Sequence, residues 1–192
     1  GREFETALSA NETINATVAF IDICSFTSIS ENETPDNVVK LLNNYFDVIV
    51  KEIIAQGGYI DKFIGDAIMA VFRGEYHLDR AIDACLAVRA EIDKLPASSE
   101  HVTFKPKVSI GINSGEMISG NIGSANLRRL DYTVIGDAVN TAQRMQSAAK
   151  EGQIIINEAT YEKVKESFNC RKVGEVSLKN KANQVTIYEV MD

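Results

Sequence analysis

Two aspartates stand where apolar runs stop. Thr17-Val18-Ala19-Phe20-Ile21 ends at Asp22, and Asp66 follows Gly65 between the runs 59–64 and 67–72. A carboxylate at a strand end is a hard oxygen donor, and one or two of them, completed by substrate phosphates, are the usual protein share of a magnesium site. Further along, Asn140 and Arg144 lie one helical turn apart, away from the apolar stripe of Val139, Ala142 and Met145. An amide and a guanidinium so placed can address one ligand. Taken singly, each feature has a plainer reading: a strand-end aspartate as a turn or cap residue, an Asn/Arg pair as a solvated helix face.

The elements that must position these residues follow from local pattern. Thr17 to Ile21 reads as a buried strand. Thr34-Pro35-Asp36 supplies an N-cap, a proline at the first helical position and an early acid, and Val38, Leu41, Leu42, Tyr45, Ile49 and Ile53 keep helical spacing until Gly57-Gly58. Gly65-Asp66 suits a tight hairpin between two strands. Leu78 to Leu95 reads as an amphipathic helix, Val102 to Asn113 and Met117 to Ile122 as strands about Ser114-Gly115, and Val139 to Ala149 as a helix. Ile154 to Ile156 reads as a strand, Asn157 as the cap of a further helix, and Val173 to Val190 as β-rich. The order β-α-β-β-α-β predicts an α+β fold, an α/β sandwich on a ferredoxin-like split βαβ core with extra C-terminal strands and helices.

Bulk properties exclude several classes. The 192 residues are 45% hydrophobic and 24% charged, the profile of one ordinary globular domain. A net charge of -7 lacks the basic excess of nucleic-acid binders, so no nucleic acid is expected as partner. Cys24, Cys85 and Cys170 are an odd, dispersed set without metal-ligand spacing, which fits a cytoplasmic, reducing setting. No apolar run is long enough to span a membrane. The polar start, residues 1–14, reads as a linker remnant. Its opening without Met reads as a piece of a longer protein, leaving room upstream for a sensor or membrane anchor.

Phe20-x-Asp22-Ile23-x-x-Phe26-Thr27, Lys62-Phe63-Ile64-Gly65-Asp66-Ala67 and Gly136-Asp137-Ala138-Val139-Asn140-x-Ala142-x-Arg144-Met145 resemble, in order and spacing, the motifs of class III adenylyl and guanylyl cyclases. The resemblance covers nearly the whole chain and makes 15–192 a catalytic domain. It implies that Asp22 and Asp66, helped by the main-chain carbonyl of Ile23, hold two Mg2+ (or Mn2+) ions per site, and that amides near Phe26 and Thr27 contact phosphates. It implies that Asn140 orients the ribose and that Arg144 stabilises charge on the transferring phosphoryl group. Lys181, or Lys179 beside it, would bind phosphate. Their plainer reading is a solvated basic turn.

Base choice in this family rests on two positions, occupied here by Lys62 and Thr133. Lysine can donate to adenine N1 and threonine can accept from the N6 amino group, whereas guanine presents the opposite pattern. The expectation is an adenylyl cyclase that converts ATP to 3′,5′-cyclic AMP and pyrophosphate by in-line attack of the ribose 3′-hydroxyl. A guanylyl cyclase and a non-catalytic regulatory domain are the alternatives. Threonine at this position resembles the cyanobacterial and soluble, bicarbonate-responsive branch, which makes bicarbonate a candidate activator. Family members build each site from two domains set head to tail. One chain carrying both residue sets therefore implies a homodimer with two equivalent sites.

Two positions depart from the family pattern. Ser25 replaces a common glycine, and Glu116 stands where some members place a phosphate-contacting arginine. His77 and His101 fall outside every motif, so a histidine general base is not expected.

Overall fold

A computed structural model describes residues 11–99, 103–124, 126, 129–177 and 183–192. In chain order the elements are β1 (Glu12–Ile23), α1 (Phe26–Ser30), α2 (Pro35–Ala55), β2 (Tyr59–Ile64), β3 (Ala67–Arg73) and α3 (His77–Lys94). Then come the short β4 (Ser98–Ser99) and β5 (Thr103–Phe104), β6 (Val108–Ser124), β7 (Arg129–Ile135) and α4 (Asp137–Ala148). The chain closes with β8 (Ile154–Asn157), α5 (Glu158–Val164), β9 (Cys170–Ser177) and β10 (Gln184–Val190).

The main sheet runs β2-β3-β1-β6-β8-β10-β9, with β7 paired to the far half of β6. Its first four strands have the ferredoxin-like order, all antiparallel. β8 then joins β6 in parallel and carries the C-terminal strands that the core alone lacks. No helix among the described residues is long and apolar enough to cross a membrane.

Alternation along β1 gives the sheet its two faces. Ala19, Ile21 and Ile23 point into the larger core, where α2 and α3 contribute Tyr45, Ile49, Ile53, Ile82, Cys85, Val88 and Ile92. Ala16, Val18 and Phe20 point the other way, against Met117, Val134 of β7 and Val139 and Ala142 of α4. Each fully buried isoleucine contributes roughly 1.5–3 kcal/mol over its exposed state. Asp22 shares the parity of Val18 and Phe20, which puts it on the α4 and β7 side.

The α2 start is as its residues imply: the Thr34 side chain accepts from the Asn37 amide, Pro35 is the first helical residue, and Gly57 follows the end at φ 76°. Arg80 ties the hairpin to its surroundings. Its guanidinium donates to the carbonyls of Gln56, Arg73 and Glu75, which fastens the entry of β2, the exit of β3 and the start of α3 together.

Three expectations need correction. β6 runs unbroken through Ser114 and Gly115, which pair with Thr17 and Ala16 of β1, where a turn was expected. Gly115 serves packing there, since a Cβ would lie 3.2 Å from that of Ala138. Glu12, Thr13 and Ile14, expected in the terminal linker, pair with Ser119, Ile118 and Met117. The stretch between Asp22 and Thr34, to which the sequence pattern assigns no element, contains the short helix α1, and β7 is likewise absent from that pattern.

Candidate active site

Three groups of polar side chains define the candidate site. The first is at the end of β1. Asp22 pairs with Ala67 of β3, and the Ile23 amide donates to the Asp66 carbonyl at 3.2 Å, which holds the hairpin tip against β1. Gly65 has φ 59°, as a tight two-residue hairpin needs at its first central position.

This geometry forces two carboxyls together. Burial, and then the charge of Asp66 and a hydrogen bond with it, push the Asp22 carboxyl from 3.8 up to about 7. Among the described residues no group of three or more His, Cys, Asp or Glu could hold a metal ion, and the paired side-chain donors here are the two carboxyls. That all-oxygen set fits magnesium or manganese, and a divalent cation would relieve the repulsion between the two aspartates. The Ile23 side chain is buried in the core, so only its main chain can face a ligand.

α1 follows directly. Ser25 sits at φ 58°, the left-handed region, and turns the chain into the helix. The Phe26 ring is 4% exposed and packs edge-on against Tyr45 and Phe104, with centroids 6.3 and 6.0 Å away. Its side chain therefore anchors the loop, while Thr27 is exposed. The first amides of any helix lack intrahelical acceptors, which leaves those of Phe26 and Thr27, a few residues beyond Asp22, as free donors.

The second group lies between β2 and β7. A bulge between Ile60 and Lys62 inserts Asp61 into β2, so two consecutive residues oppose one on β3. The Thr133 hydroxyl donates to Asp61 Oδ2 at 2.7 Å, and Lys62 Nζ lies 3.5 Å from the same oxygen. The Lys62 side chain is 45% exposed and that of Asp61 is 0% exposed. Asp61 was not singled out from the sequence. Its partner is 72 positions away, beyond the reach of any local pattern.

The third group rides on α4. Gly136, at φ 137°, leads into the helix, and the buried Val139, Ala142 and Met145 press it onto the sheet. Its register is fixed by Asn113 donating to the Ala138 carbonyl and Gln146 donating to the Ser109 hydroxyl. Asn140 is exposed one turn before Arg144. Arg144 is 22% exposed and 4.0 Å from Asp137, and its Nη1 is buried without a hydrogen-bond partner among the described residues.

Among the described residues, no hydrogen bond or ion pair joins the Asp22 and Asp66 pair to Lys62, Thr133, Asn140 or Arg144. Lys179 and Lys181 lie outside the described residues. So does His101. His77 begins α3, and its Nδ1 is 2.7 Å from the Thr17 hydroxyl.

Residues 8–191 match the family "Adenylate and Guanylate cyclase catalytic domain". An adenylate cyclase of Anabaena cylindrica is 37% identical over 193 aligned positions, covering 95% of this chain and 38% of that protein. The adenylyl cyclase CyaB from P. aeruginosa superposes with a TM-score of 0.84 at 32% identity, covering 95% of this chain and 96% of that one. The guanylate cyclase domain of RhGC from Catenaria anguillulae, in complex with GTP, gives 0.83 at 28% identity, covering 94% and 98%. The chain belongs to the adenylate and guanylate cyclase catalytic domain family, the class III nucleotidyl cyclases. It spans less than half the length of the Anabaena relative.

Proposed function

We propose that this domain converts ATP to 3′,5′-cyclic AMP and pyrophosphate, as a head-to-tail homodimer. Each of its two sites would take Asp22 and Asp66 from one copy and Lys62, Thr133, Asn140 and Arg144 from the other. The observation that carries the reading is that the end of β1 and the hairpin tip bring the Asp22 and Asp66 carboxyls together, an oxygen pair of the kind that holds a divalent cation. That both residue sets stand on one chain, yet are not joined within it, supports the homodimer.

Two magnesium or manganese ions held by Asp22, Asp66 and the Ile23 carbonyl would lower the pKa of the ribose 3′-hydroxyl and neutralise phosphate charge. Asn140 holds the ribose so that the 3′-oxygen lines up with the α-phosphorus. The 3′-hydroxyl gives up its proton to solvent, the bond from O3′ to the α-phosphorus forms while the bond to the bridging oxygen breaks, and the electron pair leaves with pyrophosphate. Arg144 supplies donors where negative charge grows on the transferring group, and its buried Nη1, which makes no hydrogen bond and only a 4.0 Å contact with Asp137, is suited to that anion. The amides of Phe26 and Thr27 and the ammonium of Lys181 would hold the phosphates.

Lys62 and Thr133 favour adenine, with Lys62 donating to N1 and Thr133 accepting from N6. A sensor elsewhere in a longer protein, with bicarbonate as a candidate effector, belongs to the same reading. The direct test is to incubate the purified chain with ATP or GTP and magnesium or manganese and to measure cyclic product. Cyclic AMP from ATP, lost in Asp66→Ala, is expected. Cyclic GMP from GTP instead would reassign the domain as a guanylyl cyclase, and no product from a verified dimer would make it a regulatory domain.

A further inference from the structure

Thr133 has a weakness as a reader of adenine. A hydroxyl carries one donor and two acceptor lone pairs. Left to rotate freely, it can accept from the N6 amino group of adenine or donate to the O6 carbonyl of guanine equally well. Threonine at this position therefore does not discriminate by itself.

The bulge in β2 changes that. Asp61 is the inserted residue, its side chain is fully buried, and its Oδ2 accepts the Thr133 proton at 2.7 Å. A carboxylate can only accept, so this bond commits the single hydroxyl proton and leaves Thr133 with lone pairs alone to offer a ligand. The same oxygen lies 3.5 Å from Lys62 Nζ, which draws the ammonium toward Thr133. Asp61 Oδ1 is buried with no hydrogen-bond partner among the described residues. A buried carboxylate so incompletely satisfied is unfavourable for folding, and structural need alone does not account for it.

We infer that Asp61 is a specificity-positioning residue: by taking the Thr133 proton it makes that hydroxyl an obligate acceptor, selecting a purine with an amino group at position 6 over one with a carbonyl. The inference rests on the proposed reading of Lys62 and Thr133 as the base-recognising pair.

The test uses 3′-deoxy-ATP and 3′-deoxy-GTP, which lack the attacking hydroxyl and cannot be cyclised, titrated calorimetrically into the purified chain with magnesium. The wild-type chain should bind the adenine compound more tightly. In Asp61→Asn the amide can donate to Thr133 and free its proton for the ligand, so the preference should fall about tenfold or more. In a Thr133→Val background the same change should leave the preference unaltered. Asp61→Leu, which removes the buried charge and leaves only the half-exposed Lys62 ammonium to solvent, guards against misfolding of the asparagine variant and should also lower the preference. An unchanged preference in variants with native melting transitions, or an equal fall in the Thr133→Val background, would overturn the inference. So would a wild-type chain with no preference. Because the readout is binding, a wild-type chain that fails to make cyclic AMP sinks the proposed activity but still reports on Asp61.

Discussion

Gly111 of β6 lies directly beneath Ala142 of α4: a Cβ on the glycine would come within 2.5 Å of the Ala142 carbonyl oxygen and closer still to the Gln146 amide. The obstacle is main chain, so no rotamer change relieves it. Helix α4, which carries Asn140 and Arg144, is seated on this contact. Gly111→Ala should therefore lift or shift the helix, destabilise the fold by about 1–3 kcal/mol and reduce cyclase activity well beyond the loss of folded protein. Activity per folded molecule equal to wild type would show that α4 placement is not critical.

The raised Asp22 carboxyl makes stability depend on pH. Its native carboxyl titrates at about 7 against an ordinary 3.8, so the native state binds more protons than the unfolded chain between those values. Stability from this group is complete below the unfolded value and declines as pH rises through the native one. The metal-free wild-type chain should lose melting temperature across that window relative to Asp66→Asn, which lacks the repulsive charge. Parallel pH profiles for the two chains would remove the basis for the pair.

Cation addition gives the complementary experiment. Magnesium or manganese should raise the wild-type melting temperature, more at pH 7.5 than at pH 5, because the ion must displace the shared proton. Asp66→Asn should show little such rise. A cation effect of the same size in both chains would locate the ion elsewhere.

Asp22→Ala and Arg144→Ala chains should each be inactive, since on the proposed reading one would lack a metal ligand and the other the guanidinium that stabilises the phosphoryl group. Mixed under conditions that permit exchange, they should regain partial activity, because one of the two sites in a heterodimer is intact. Verified heterodimers without recovery would refute the shared site.

Ser25 holds a left-handed conformation that glycine adopts freely, at φ 58°. Ser25→Gly should leave activity intact and raise stability by up to about 1 kcal/mol, as the strain of an L side chain in this region is released. Loss of stability on substitution would mean the serine contributes something its backbone strain conceals.

Much of this arrangement is legible in the sequence because it is local. Thr34-Pro35 announces α2, Gly65-Asp66 announces the hairpin, and the spacing of Val139, Ala142 and Met145 fixes which side of α4 is buried. The failures share a cause. Ser114-Gly115 has the composition of a turn, but pairing with Thr17 and Ala16 keeps the strand straight through it. Glu12 to Ile14 look like tail until their partners on β6 are known. The roles proposed for Thr133 and Lys62 come from family likeness, yet the buried carboxylate between them depends on a bulge and a contact across 72 positions.

The β2 and β3 hairpin carries Lys62 and Asp66 only four residues apart, and Arg80 fastens its base through three carbonyls. In the proposed head-to-tail pair, those two side chains would serve different catalytic centres. Any tilt of the hairpin then disturbs base reading in one centre and cation binding in the other. The centres would be mechanically coupled, so a signal reaching either hairpin would be felt by both.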